Sequence, residues 1–309
     1  MVENKCPIVG VIITAYNRAA LLPRAINSVL EQTYQNFEIV VVDDASTDNT
    51  EEVVKSLVGK DGGYIQHKEN LGCSTARNSG LDSISKCVDY VCFLDSDDSF
   101  NPEKLEREVR LLESDPCAGF VYSDYILDDE IARRRNLKKV AASGHPGNFK
   151  WEHFLTNEAK SSGIMYRASV VQKFRFREDL RYNEDSEFLQ RIAIEERGLY
   201  SDYPGCIVYF HLWSKSRNFY EISLAVYKSC ISILRDYPWF REERAGQIDR
   251  HLSRLRFSIF KYSVLKGLWG EARDYVQNPF QQFIVNHHLA VYFRIKEEII
   301  LIVKKLLRR

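Results

Sequence analysis

Pro7-Ile8-Val9-Gly10-Val11-Ile12-Ile13-Thr14-Ala15-Tyr16-Asn17-Arg18 begins apolar and ends polar, and its apolar part carries no alternating polar residue. A run of this kind suits a strand covered on both faces, not one with a face in water. Helical spacing over Leu21 to Leu30 follows, and the unit then recurs: Phe37 to Val42 before Thr50 to Leu57, and Cys73 to Ser83 before Tyr90 to Leu94. Strand and helix in alternation predict a doubly wound α/β domain, a mainly parallel sheet flanked by helices. Helix starts are marked too. Ser46-Thr47-Asp48-Asn49 precedes Thr50-Glu51-Glu52, and Asn101-Pro102-Glu103 precedes the helix carrying Leu105, Val109 and Leu112.

Outward from this frame the sequence changes character twice. Residues 128 to 150, with their acids, the Arg133 to Lys139 basic cluster and Ser143-Gly144-His145-Pro146-Gly147, read as a polar loop or insertion. From about Tyr220 helical patterning dominates, broken at Pro238 and Pro279, so a boundary near 216 separates a domain over 1–216 from a helical region over 217–309. Lys and Arg (43) balance Asp and Glu (43) overall. Residues 221–309 nevertheless carry 16 basic against 9 acidic residues, so the front is acidic and the back basic. The even balance and the absence of an RNA- or DNA-binding signature argue against a nucleic-acid partner. Seven scattered cysteines without a C-x-x-C pair indicate free thiols and a reducing, cytoplasmic setting. Neither a signal peptide nor an apolar span of ~20 residues is expected.

In open α/β sheets ligands bind at the carboxyl ends of the strands. Three such ends are polar: Thr14-Ala15-Tyr16-Asn17-Arg18, Asp43-Asp44-Ala45-Ser46 and Asp95-Ser96-Asp97-Asp98. No glycine-rich phosphate loop accompanies them, which excludes the common dinucleotide and P-loop classes. Phosphate at the acidic third corner would need a bound divalent cation, held by one or two carboxylates. Plainer readings exist for each group: Asp95 and Asp97 as solvated acids, Asp44 as a helix cap, Glu184 and Asp185 as first-turn acids favoured by the helix dipole. An EF-hand over Asp95 to Glu106 is disfavoured, because Phe100 stands where glycine is required.

Taken together, Ile13 to Arg18, Gln32-Thr33-Tyr34, Val41 to Asp48, Asn70-Leu71-Gly72, Ala76-Arg77-Asn78-Ser79-Gly80, Phe93 to Asp98 and Asn183-Glu184-Asp185 resemble, in order, the motifs of family 2 glycosyltransferases. The resemblance covers roughly residues 7 to 216 and implies a GT-A, Rossmann-like fold and transfer from a nucleotide-sugar donor with inversion. On its terms Asp44 meets the uracil imide of a UDP-sugar and Tyr16 packs on the base or ribose. Thr14, Asn17, Asp95, Ser96 and Glu184 line the donor site, and Arg77 reaches the diphosphate or positions the acids. Asp97 ligates Mn²⁺ or Mg²⁺, Asp98 supports it, and Asp185 is the general base. His211, in Tyr209-Phe210-His211, matches a family histidine and could ligate the metal or contact diphosphate; Tyr209 stands where the family usually has arginine, which shifts a phosphate role toward Lys215 or Arg217. A nucleotide-sugar-binding scaffold without transfer is the alternative.

The acceptor is expected to be a sugar or lipid-linked sugar in surface polysaccharide or glycoconjugate synthesis. Trp151, His153, Trp213, Phe219 and Tyr220 are candidate stacking surfaces. Ile295, Ile299, Ile302, Val303, Leu306 and Leu307 fall near one helical face, with Lys296, Lys304, Lys305, Arg308 and Arg309 mostly elsewhere. Such a helix could dock on the core or lie on the cytoplasmic face of a membrane.

Overall fold

The computed structural model describes residues 6–59, 63–140, 159–211, 218–277 and 281, and the chain divides into two units, Met1–Ser214 and Lys215–Arg309. In the first, β1 (Val9–Ala15) lies between β2 (Phe37–Asp43) and β4 (Tyr90–Asp95), with β3 (Gly63–Gln66) outside β2; all these pairings are parallel. β5 (Ser99–Phe100), β6 (Ala118–Asp129), β7 (Arg134–Lys138), β8 (Ile164–Arg167) and β9 (Arg197–Phe210) complete the sheet. Among the described residues the order is β3-β2-β1-β4-β8-β6-β9-β5, with β7 attached to β6. β8 runs antiparallel to both β4 and β6, so the sheet is parallel in the half that the repeated strand–helix units build and mixed beyond it.

β1 is buried along its whole length, and its side chains feed two cores. Val9, Val11, Ile13 and Ala15 pack with Leu22, Ala25, Ile26 and Val29 of α1 (Leu22–Leu30), whereas Ile12 joins Phe93, Phe120, Tyr166 and Phe188 on the opposite face. That division is the physical content of the uninterrupted apolar run. Each fully buried aliphatic side chain contributes about 1.5–3 kcal/mol. α2 (Thr50–Val58), α3 (Cys73–Ser83) and α4 (Lys104–Ser114) cover the sheet where the sequence places them, followed by the single turn α5 (Ala168–Val171) and by α6 (Glu184–Glu195).

The expected polar loop over 128–150 is corrected in its first part. β6 continues to Asp129 and turns into β7, pairing Asp129 with Arg134 and Tyr125 with Lys138. All five residues of β7 are exposed, so the hairpin holds by backbone pairing and leaves no apolar pattern to read. Residues 141–158 lie outside the described residues.

The second unit contains α7 (Phe219–Asp236), α8 (Pro238–Lys266) and α9 (Trp269–Asp274). Phe219 stacks on Tyr262 and Ser223 bonds Ser258, so α7 and α8 run antiparallel about the break at Pro238. Gly267, at φ 75°, closes α8 in the left-handed conformation glycine accepts freely. Of the aromatic candidates, Tyr220 is buried and Phe219 exposed; Trp151, His153 and Trp213 lie outside the described residues, as do Lys215, Arg217, Pro279 and the amphipathic segment 295–309. No helix among the described residues is long and apolar enough to cross a membrane.

Candidate active site

Parallel register brings the three polar strand ends level. Thr14 is paired with Val42 on one side and Asp95 on the other, Ala15 with Asp43, and the Asp44 N–H donates to the Ala15 carbonyl at 2.8 Å. Tyr16 stands there half exposed. Thr14 is nearly buried, its hydroxyl 3.5 Å from the Cys73 thiol. Asn17, with a positive φ of 52°, uses its side-chain oxygen to accept the Thr47 N–H at 2.8 Å, so it holds the β2–α2 turn beside the site.

Asp44 is buried at the end of β2 and accepts three hydrogen bonds: Leu71 N–H at 2.9 Å, Gly72 N–H at 2.8 Å and His67 Nδ1 at 2.8 Å. These bonds draw the loop that opens α3 against β2. Gly80 then lets α3 lie on β1, since a Cβ there would come within 2.4 Å of Ile12 Cγ2. The consequence is felt one turn earlier, at Arg77. Its guanidinium, 3% exposed, bridges Asp95 Oδ1 at 2.8 Å and Glu184 Oε1 at 3.0 Å. Of the two expectations for Arg77, contact with diphosphate or positioning of acids, the geometry displays the second: both terminal nitrogens are engaged by carboxylates. Planar guanidinium is suited to such a two-sided clamp.

The clamp fixes the start of α6 relative to β4. Asn183 turns the chain at φ 64°, and Glu184 and Asp185 occupy the helix's first turn. Asp185 Oδ1 accepts the Ser186 N–H at 2.8 Å, which orients a half-buried carboxylate. The next acid, Glu187, is fully buried between Arg191 at 2.7 Å and Arg177 at 2.9 Å, and belongs to the scaffold.

At the acidic corner the side chains diverge. Ser96 is buried, while Asp95 is 37% exposed on its side chain and Asp97 26%. Asp97 Oδ2 lies 3.1 Å from His211 Nε2, so the two candidate metal ligands, 114 residues apart, meet. Asp98 points inward, accepting the Ser162 hydroxyl at 2.8 Å and the Tyr209 N–H at 3.3 Å. Burial, then the neighbouring charges of Asp95 and Asp97, push its carboxyl well above the ordinary range. Ser162 also accepts the Asp95 N–H at 3.3 Å, tying both ends of the corner to one hydroxyl.

Three participants carry no sequence signal of their own. Arg24 of α1 donates to the Asp97 carbonyl at 2.6 Å and lies 3.4 Å over the Tyr209 ring, filling the space beside the position where the family usually has arginine. Ser162 arrives on the connection into antiparallel β8. His67 follows directly from register: Asp43 pairs with Gln66, so the next residue must lie beside Asp44.

The sequence model of glycosyl transferase family 2 matches residues 10–175, which include the strand ends and the Arg77 helix. The chain belongs to glycosyltransferase family 2. An uncharacterised glycosyltransferase of Haemophilus influenzae is 36% identical over 249 residues, covering 78% of this chain and 91% of the relative. A second, of Rickettsia felis, is 41% identical over 126 residues, 40% of this chain. The chain spans only 21% of that relative and 25% of the one in Rickettsia bellii. Among solved structures, Staphylococcus aureus TarS 1–349 in complex with UDP matches with TM-score 0.58 at 20% identity, covering 86% of this chain and 87% of that one. The mannosyltransferase PcManGT of Pyrobaculum calidifontis, in complex with GDP-Man and Mn²⁺, matches with TM-score 0.61 at 16% identity over 96% and 88% of the two chains. At such identities the likeness is one of fold, and the fold is GT-A.

Proposed function

We propose that this family 2 glycosyltransferase moves a sugar from a UDP-sugar to an acceptor hydroxyl with inversion, assisted by Mn²⁺ or Mg²⁺. The observation that carries the reading is the placing of Asp44 after β2 and of Asp95 and Asp97 at the end of β4, on either side of β1 in one parallel sheet, with His211 brought to Asp97 and the Arg77 clamp holding Glu184, the neighbour of Asp185. A carboxylate and an imidazole suit Mn²⁺, and among the described residues no third His, Cys, Asp or Glu completes a cluster. The diphosphate of the donor itself is therefore the natural remainder of the shell. A divalent ion held by Asp97 and His211 would supply the positive charge that a departing nucleoside diphosphate requires.

The chain's own groups do the rest. Tyr16 offers a face to the base or ribose, Asp44 accepts from the base edge, and Asp95, fixed by Arg77, faces the ribose; Thr14, Asn17, Ser96 and Glu184 shape and brace this rim. Asp185 takes the proton from the attacking hydroxyl. Attack opposite the leaving group then inverts the anomeric centre. A nucleotide-sugar-binding scaffold would need neither a base nor its clamp.

The proposed acceptor is a sugar, free or lipid-linked, in surface polysaccharide or glycoconjugate synthesis. The proposed setting is the cytoplasmic side of a membrane, met by the basic segment 295–309. The deciding assay measures free nucleoside diphosphate released from a panel of sugar nucleotides with and without Mn²⁺. Release from UDP-sugars that depends on Mn²⁺ and is lost in Asp97→Ala is the expected result; metal-independent release, or none across the panel, refutes it.

A further inference from the structure

Asp44 has fewer acceptor positions to offer than its type suggests. A carboxylate carries about four lone-pair sites, two on each oxygen. Here Oδ1 accepts the Leu71 N–H at 2.9 Å and faces His67 Nδ1 at 2.8 Å, while Oδ2 accepts the Gly72 N–H at 2.8 Å. A carboxylate can only accept, so the ring carries its proton on Nδ1. In the neutral ring Nε2 then accepts from the Ser79 hydroxyl, 2.9 Å away on α3. The His67 and Asp44 side chains are 10% and 6% exposed, which keeps water from competing for these bonds. Oδ1 is thereby filled. Oδ2 keeps one site.

We infer that His67, backed by Ser79, sets the nucleobase specificity of the donor site by occupying an acceptor position on Asp44, so that the carboxylate serves a base presenting one donor and not a base presenting two. The inference rests on the proposed meeting of Asp44 with the base. Uracil presents a single imide N–H between two carbonyls, and one Oδ2 lone pair satisfies it. Guanine presents N1–H and an amino N–H side by side, a pair that a carboxylate binds with both oxygens. With Oδ1 filled, one guanine donor would be desolvated without a partner, and a buried donor left unmatched costs heavily in discrimination. Cytosine turns an N3 lone pair where uracil has its imide N–H, and the carboxylate repels that atom in the same pose. His67 is thus a positioning residue, acting through Asp44.

The test is calorimetric titration of the full chain with UDP and with GDP in the presence of Mn²⁺. The wild type is expected to prefer UDP by a factor on the order of 10². His67→Ala opens a position on Oδ1 and narrows that ratio about tenfold or more, with GDP gaining relative to UDP. His67→Asn, whose amide N–H can replace the Nδ1 donor, restores the preference. Ser79→Ala loosens the ring without changing the acceptor count, so both nucleotides weaken together and the ratio holds. UDP binding with an unchanged UDP-to-GDP ratio in His67→Ala overturns this inference alone. A wild type that binds GDP as well as UDP also overturns it, and one that binds neither nucleotide overturns the donor reading and this inference with it.

Discussion

Asp185 is separated in role from the acids around it by what each one touches. Glu184 is held by Arg77 and Glu187 by two arginines, while Asp185 is oriented by a backbone N–H and stays half-buried. Asp185→Asn keeps size and the Ser186 contact but removes the proposed base. Steady-state kinetics should show turnover falling by a factor of about 10² to 10⁴ with UDP affinity nearly intact, the usual worth of general base catalysis; equal loss of both would make the residue structural. Arg24→Ala is the companion change. It releases the Asp97 carbonyl from a 2.6 Å bond and removes the cation from Tyr209, so Mn²⁺-dependent UDP affinity should drop about tenfold, the worth of one charge-assisted hydrogen bond, with UDP binding in EDTA unaltered. At this scale the sequence reveals residues whose motif sits at a strand end, such as Asp44 and Asp97. Arg24, His67 and Ser162 act on those residues from 20 to more than 70 positions away, and no local pattern encodes such contacts.

Elements were legible where burial writes a period. β2 falls within a residue of its expected limits because its apolar residues form one nearly continuous run, whereas α3 matches its limits with little apolar period, its buried face being largely Ser74, Arg77, Asn78 and Gly80. β7 has no such period, and β8 is too short to show one. α4 hides a different feature: beside the apolar stripe Leu105, Val109 and Leu112, both Lys104 and Glu108 are buried, their charges 2.5 Å apart. A sequence reading sends such charges to solvent. Gly205 of β9 makes the room, since a Cβ there would lie 3.0 Å from Glu108 Oε1. Lys104→Met alone strands a buried carboxylate and should cost about 3–5 kcal/mol in urea unfolding, whereas Lys104→Met with Glu108→Leu should recover most of it. Two single changes that simply add in the double variant would contradict the pairing. Gly80→Ala tests how α3 delivers Arg77: an added methyl against Ile12 should cost about 1–3 kcal/mol and lower UDP affinity with it, because the Asp95–Arg77–Glu184 clamp moves when the helix does.

On the scale of the molecule, charge divides as the sequence does. Residues 221–309 hold 16 Lys and Arg against 9 Asp and Glu, and five of those basic residues, Lys296, Lys304, Lys305, Arg308 and Arg309, lie in the last fourteen positions. Apolar residues at helical spacing run between them, the pattern of a segment that enters the headgroup region on one side and presents cations to anionic lipid on the other. Each cation near an anionic leaflet contributes about 1 kcal/mol, so four of them change a partition constant by a factor on the order of 10² to 10³. The proposed membrane contact therefore predicts that the full chain sediments with anionic vesicles at low ionic strength, that 0.5 M salt (about a 4–5 Å Debye length) releases it, and that neutral vesicles retain little. Replacing Lys304, Lys305, Arg308 and Arg309 with Glu should abolish sedimentation while leaving UDP affinity untouched, since the proposed donor-binding residues all belong to the other unit. Retention indifferent to salt, to lipid charge and to these four substitutions would remove the membrane contact and leave the segment's apolar face to cover protein instead.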